Sequence, residues 1–497
     1  MDNYFQHFEG NLNLANIFTI SNIRYAALQT EEQRYRKKLE AVFGSLNLSY
    51  KDYLFLDVTA RNDWSSALGY PYSTTPTRSY FYPSFGLSGV ISEMVKLPDF
   101  ISRWKVRGSY AIVGNDFAPY YTYYYSTFTN NQNNVTPPSV GPKPGTVLLP
   151  EKNKSMEFGT ELRLYDDLLF LDFTWFKNNT YNQVITITAP LASGLQYYYV
   201  NAGNIQNSGI ELSLGLTPVK SRQLKWDIYT TLYANKNVVK EYNGNDNLVH
   251  QLAGADNSNM TYFGIKKGLP YSTFFGKKFS RDNAGNVLMD TTGTAAGTVG
   301  QPLYTLFNQD TTGLGSPIPK ALIGFRNTFT INGKLSISLL VDARLGGKVM
   351  DVTQAVLDEY GVSEASAKAR DNSSTFLPVK AVYSQGGKPV TSVDPRTWYA
   401  KVAGRGGIAE YYMADATNIR LREVSIAYNL SAFIGSRTRN IIKAASIGFN
   451  ARNLFFFTRK AAFDPDIAVG TTNGNQGYNA FTAPATRSFG GSLKISF

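Results

Sequence analysis

The chain has 497 residues, a formal net charge of +12 and a mean hydropathy of −0.23, with 17% charged and 14% aromatic residues. Cysteine is absent and histidine occurs only at His7 and His250, which excludes a disulfide framework, a thiol nucleophile and a cysteine metal site, and leaves too few histidines for a histidine-based one. No run is long and apolar enough for a membrane helix, and the 49 basic residues form no cluster of the kind that grips nucleic acid.

A membrane remains open to this chain through strands. A transmembrane strand needs only about 9–11 residues and shows lipid every second one, so mean hydropathy stays low. The 33 Tyr and 31 Phe suit such a barrel. The positive excess then belongs in a basic lumen or against anionic lipid headgroups. The opening "MDNYFQHFEG" has neither the basic start nor the apolar core of a signal peptide.

In chain order, a first strand is expected near residues 11–27. "DYLFLDVTAR" sets Leu54, Leu56 and Val58 against Asp57 and Thr59. "KVRGSYAIV" puts Val106, Gly108, Tyr110 and Ile112 on one face and Lys105, Arg107 and Ser109 on the other. "LLFLDFTWF" alternates Leu169, Leu171, Phe173 and Trp175 with Asp172 and Thr174. "SGIELSLGL" places Ile210, Leu212, Leu214 and Leu216 opposite Glu211 and Ser213. "KLSISLLVDAR" opposes Leu335, Ile337, Leu339 and Val341 to Ser336, Ser338, Asp342 and Arg344. The closing "SFGGSLKISF" reads Phe489, Gly491, Leu493, Ile495 and Phe497 on one face. Charges recur on the second face, where a dry sandwich core would penalise them and a wet lumen would not.

The connections are lopsided. Turns at Lys51–Asp52, Asp166–Asp167 and Asn332–Gly333 are tight, and the link near 94–102 is middling. Between them lie long connections at roughly 115–152, 181–207, 238–319, 347–416 and 456–486. Short turns at one end and long loops at the other are the outer-membrane barrel pattern, periplasm on the short side and exterior on the long. The reading is all-β: an antiparallel transmembrane β-barrel of about fourteen strands, the last pairing with the first and ending at the periplasmic rim.

Two aromatic clusters in the long connections suit glycan or peptide capture: Tyr121, Tyr123, Tyr124 and Tyr125, and Tyr197, Tyr198 and Tyr199. The plainer reading seats them in the interfacial girdle or against a lid. Arg103, Lys105 and Arg107 share one strand face and Arg420 and Arg422 another; in a pore these tune selectivity or meet a plug. Asp282, Asn283, Gly285 and Asp290 have some of the residue types of a calcium loop without its ligand spacing, so a turn is expected there. Asp464 and Asp466 flank Pro465 in a structural turn. No triad, metal cluster or phosphate loop presents itself, so no catalytic residue, metal or cofactor is assigned.

Several stretches resemble, in order, the carboxy-terminal part of SusC/RagA-type TonB-dependent outer-membrane transporters of the Bacteroidetes. "GSLNLSYKDYLFLDVTARNDWSSAL" is similar to a family strand pair leading into a turn carrying Arg61, Asp63, Ser65 and Ser66, with Trp64 where glycine is usual. "FYPSFGLSGVISE", "WKVRGSYAIVGND", "NAGNIQNSGIELSL", "DATNIRLREVSIAYNL", "ARNLFFFTRKAAFDPDI" and "RSFGGSLKISF" match later segments. The resemblance implies a barrel of about 22 strands with an amino-terminal plug. It also implies a TonB box, a SusD-like lipoprotein lid and uptake of an oligosaccharide or peptide. Residues 1–497 are expected to be the carboxy-terminal part of that barrel, with plug domain, TonB box and signal peptide absent. Phe489, Leu493, Ile495 and Phe497 resemble the signal read by the barrel assembly machinery. The alternatives are a plugless passive pore and a secreted all-β glycan-binding protein; an enzyme and a nucleic-acid binder are set aside.

Overall fold

The computed structural model describes residues 2–9, 11, 14–15, 22, 29–70, 78–124, 127–129, 134–136, 140–242, 250–251, 260–291, 300–305, 312–431, 442–466 and 476–496. Thirteen strands form a single antiparallel meander in which each pairs with its neighbour in sequence. They are β1 Leu39–Tyr50, β2 Leu54–Ser65, β3 Ser79–Val90, β4 Ile101–Asn115, β5 Glu151–Leu164, β6 Leu169–Thr188 and β7 Tyr197–Lys220. The series continues with β8 Leu224–Glu241, β9 Ala321–Ile331, β10 Leu335–Leu345, β11 Asn418–Asn429, β12 Ala444–Arg459 and β13 Ser488–Ser496. A short fourteenth strand, Val140–Pro142, lies parallel to Tyr197–Tyr199 at the outer end of β7.

The short turns follow from local chemistry. Lys51 and Asp52 both have positive φ (47° and 58°), as do Asn332 and Gly333 (50° and 66°), the mirror-image two-residue turn whose twist matches paired strands. The Tyr165–Asp167 turn also runs through the left-handed region. At the opposite end the connections are long, from residues 116–150, 242–320, 346–417 and 460–487.

One face of the meander is apolar and exposed. Leu46, Val58, Phe85 and Tyr110 form a row across β1 to β4, as do Ile337, Ile426, Phe449 and Gly491 across β10 to β13. Phe489 and Leu493 on this face are 65% and 64% exposed, a cost in water that lipid removes. The other face carries Asp57, Arg61, Arg107, Asp172, Glu211, Asp342 and Arg420.

Three expectations change. Closure of the last strand on the first is not observed among the described residues: β1 pairs only with β2 and β13 only with β12. An up-and-down meander of thirteen leaves its two outermost strands pointing the same way, so they cannot pair antiparallel. The strand expected near 11–27 falls almost wholly outside the described residues, and Asp2–Glu9 pairs instead with Gln29–Arg36 in a separate hairpin. The connection expected at 181–207 shrinks to 189–196, because β6 and β7 continue paired as far as Thr188 and Tyr197.

Candidate functional site

The largest departure from an all-β reading lies in the long connections. Connections 242–320 and 346–417, with Tyr478–Asn479, fold into a capping unit with its own core. Apart from a single helical turn at Ile91–Met94 (α1), the α-helices among the described residues lie here: α2 Val352–Glu359, α3 Glu364–Asp371, α4 Pro395–Val402 and α5 Ala409–Tyr412. Each of the three longer ones is capped. Asp351 Oδ1 accepts from Gln354 N at 3.1 Å, Ser363 Oγ from Ser366 N at 2.9 Å and Asp394 Oδ2 from Thr397 N at 2.7 Å, with Pro395 opening α4.

The core is aromatic. Trp398 and Phe274 are fully buried; Trp398 stacks on Phe279 at 5.7 Å and meets Tyr411 edge-on at 5.6 Å. Cross-ties join the connections: Arg281 to Glu410 at 2.8 Å, and Asn479 Nδ2 to Asp351 Oδ1 at 2.9 Å. Asp358 is buried and accepts from Gln354 Nε2 and Tyr412 Oη, each at 2.8 Å, and from Ser363 Oγ. Three donors make that buried carboxylate tolerable. Burial, then the neighbouring Asp358, pushes the Tyr412 hydroxyl far above its ordinary range, so it remains a donor.

The Asp394 carboxyl is held below its usual range by the Thr397 amide and hydroxyl. Its folded value is depressed, so its contribution is present at neutral pH and is lost as pH falls through that lowered value. Asp394→Ala should cost the cap about 1 kcal/mol at neutral pH, read as faster proteolysis of residues 346–417. That difference from wild type should shrink in acid, below the lowered value.

Arg420 and Arg422 share the polar face of β11. Arg420, 3% exposed, binds Asp342 Oδ1 at 3.1 Å, Asp464 Oδ2 at 3.2 Å and Asp466. Arg422 binds Asp342 Oδ2 at 2.5 Å and Asp466 Oδ2 at 3.0 Å, and donates to Asn453 Oδ1 at 3.0 Å. A bulge opposite Leu340–Val341 lets both arginines and Glu423 serve the same side. The Asp464–Pro465–Asp466 turn is thus riveted to the wall, and these two arginines are consumed as ties rather than presented as open lumen charges.

Arg107 is also engaged, donating to Asp172 Oδ1 at 2.7 Å and Thr174 Oγ1 at 2.6 Å. It lies over Gly159, where a Cβ would meet the guanidinium at 2.7 Å. Lys105 stands opposite Glu161 in register, and exposed Arg103 opposite Arg163. Asp282 accepts from the Ala284 and Asn286 amides, closing a turn in the cap. Among the described residues no group of three or more acidic or histidine side chains could hold a metal.

The tyrosines divide. Tyr121 stacks on Tyr199 with centroids 4.1 Å apart and on Phe117 at 6.0 Å, and Tyr198 is buried in a second core; these three are packing residues. Tyr123 and Tyr124 are exposed beside a cleft of about 820 Å3, with Tyr70, Lys143, Pro144 and Val147 on its walls. The Tyr124 hydroxyl donates to Pro142 O at 2.6 Å, which fixes its ring. Tyr197 is exposed, and Tyr125 lies outside the described residues. At the carboxy end, Phe489, Leu493 and Ile495 face outward on β13, and Phe497 lies outside the described residues.

A wall with one apolar and one charged face, short turns at one end and folded long connections at the other defines an outer-membrane β-barrel. Residues 2–334 match the family described as TonB dependent receptor-like, beta-barrel, and the chain belongs to it. It is 25% identical over 484 residues to TonB-dependent receptor P26 of Formosa agariphila, covering 93% of this chain and 46% of that protein. It is 22% identical to TonB-dependent receptor SusC of Bacteroides thetaiotaomicron, covering 88% and 42%. The chain thus spans about half the length of the curated relatives it matches. Among solved structures, the RagAB peptide transporter aligns with all of this chain and 52% of its own, at 18% identity and a TM-score of 0.73. The "open-open" RagAB peptide importer aligns at 17% identity and a TM-score of 0.69.

Proposed function

We propose that this chain supplies wall and extracellular loops of a SusC/RagA-type importer that takes up an oligosaccharide or peptide in a TonB-dependent step. In this reading it is the carboxy-terminal part of the barrel, the long connections face outward and the carboxy terminus is periplasmic. A SusD-like lipoprotein covers the mouth, TonB acts through a plug in the complete protein, and the assembly machinery reads the last strand. No catalytic chemistry is invoked. The observation that carries the reading is that two long connections fold into a cap with its own core and a third is tied to the charged face through Arg420 and Asp464, where a passive pore needs only loose loops.

The cleft beside Tyr123 and Tyr124 is then a capture point, because a tyrosine offers a flat apolar face and a hydroxyl to a sugar or peptide. Arg103 and Lys105 remain available to the lumen for selectivity or plug contact. In the full-length protein, Tyr123→Ala with Tyr124→Ala should weaken binding of its best ligand from a panel of oligosaccharides and short peptides about tenfold by calorimetry. Uptake of that ligand by cells should vanish when TonB is deleted. Uptake that persists unchanged without TonB would make the protein a passive pore.

A further inference from the structure

The apolar face of the wall ends along a definite row. Trp175, Ile210, Ala234, Ala321 and Leu345 are register partners across β6 to β10. Toward the short turns, the same face of β7 continues as Leu212, Leu214 and Leu216. Two residues the other way, toward the long connections, the character inverts: Lys177 on β6 and Lys236 on β8 flank Ser208 in a single register row. Lys320 immediately precedes Ala321, and Lys348 follows β10 closely, its amide bonded to Ser316 O at 2.8 Å. Four lysines therefore crown the apolar band where the wall leaves it. Among the described residues, none of the four is within ion-pair distance of a carboxylate.

Three of these lysines, Lys236, Lys320 and Lys348, line a cavity of about 850 Å3. Its apolar wall includes Ile210, Ala234 and Ile318, so it opens directly from the membrane-facing row. Asp415, the one acid on the lining, is the register partner of Lys348 and lies 3.6 Å from Lys460, so it is shared between two lysines and leaves the lining net positive. An apolar floor continuous with the lipid-facing wall, under a cationic rim, is complementary to an amphiphile with phosphate in its head and hydrocarbon below.

We infer that this cavity is a specific site for a phosphorylated lipid of the outer leaflet, its phosphates held by Lys236, Lys320 and Lys348 and its chains lying along Ile210 and Ala234. The inference rests on the orientation proposed above, with the long connections outward. A soluble anionic ligand would use the lysines without the apolar floor. A protein partner would leave the hydrocarbon groove unfilled.

The test is lipid retention by the full-length protein in detergent, followed by native mass spectrometry and titration. The probes are a diphosphorylated outer-leaflet glycolipid, the same lipid after phosphatase treatment, and inorganic phosphate. Wild type should bind the diphosphorylated lipid at least tenfold more tightly than the dephosphorylated one. The triple variant Lys236→Ala, Lys320→Ala, Lys348→Ala should lose that preference, whereas Lys51→Ala at the other rim should keep it. Equal binding of both lipids, or an unaffected triple variant, overturns the site; inorganic phosphate competing at the lipid's own concentration reduces it to an anion site. A heat-modifiable gel shift shows whether the triple variant still forms a barrel. If it does not, the three single variants carry the same comparison. Labelling of exposed Lys143 by an impermeant amine reagent on intact cells reports the orientation separately, so a failed orientation and a failed lipid site are told apart.

Discussion

Trp398→Ala should open the cap while leaving the wall intact. Trp398 is fully buried between Phe279 and Tyr411 on a helix of only eight residues, too short to persist without its packing. Removing a buried aromatic leaves a cavity that the surrounding backbone fills only in part, at about 3–5 kcal/mol. The cap is tied to the wall at the strand ends, so the loss falls on local opening and the hydrogen-bonded meander survives. Proteolysis of residues 346–417 on intact cells should quicken by about a hundredfold or more, since each 1.4 kcal/mol is a factor of ten in opening. The barrel's heat-modifiable migration should not change. Cleavage at the wild-type rate would mean the cap has no core of its own.

Arg420→Ala should detach the last long connection. The arginine is 3% exposed and neutralises Asp342, Asp464 and Asp466 together, so its loss strands carboxylates that were placed for it. Breaking a buried pair from one side costs about 3–5 kcal/mol, much more than the pair contributes over apolar replacements. Arg422 keeps its contact to Asp466 and softens the effect. Hydrogen exchange should rise through residues 460–466 and stay unchanged at the Lys51–Asp52 end. Adding Asp464→Asn and Asp466→Asn to Arg420→Met should recover part of the loss, because the two stranded carboxylates are then neutral and Asp342 keeps Arg422; the recovery is partial because Arg344 loses its own contact to Asp466. Failure of that rescue would point to packing, not charge, as the role of Arg420.

The wall was legible because its physics is local. Alternation in "SGIELSLGL" and "KLSISLLVDAR" reports two environments two residues apart, and Asn332–Gly333 writes its own turn. The cap was not read, although its signals stand in the chain. "SVDPRTWYAKV" carries an N-cap aspartate followed by proline, and "VTQAVLDEY" follows Asp351. A reading tuned to period two passes over eight-residue helices inside long connections. The fate of Arg420 was beyond local inspection for another reason: its partners lie on β10 and in a turn 44 residues away, and a bulge sets the face. The tyrosines show the same limit. Tyr121, Tyr123 and Tyr124 are chemically alike in sequence, yet only the last two line a cleft, because Tyr121 is claimed by Tyr199.

The central claim is that one face of this meander meets lipid and the other encloses the lumen. Single cysteines along β7 and β8 test it, and this chain has no native cysteine to interfere. In the full-length protein in membranes, spin labels at Leu212, Leu214 and Leu232 should be relaxed by dissolved oxygen. Labels at Glu211, Ser213 and Thr231 should respond instead to a water-soluble nickel reagent, with period two throughout. Equal access of both reagents to both sets would contradict a membrane wall and leave a soluble sheet in its place.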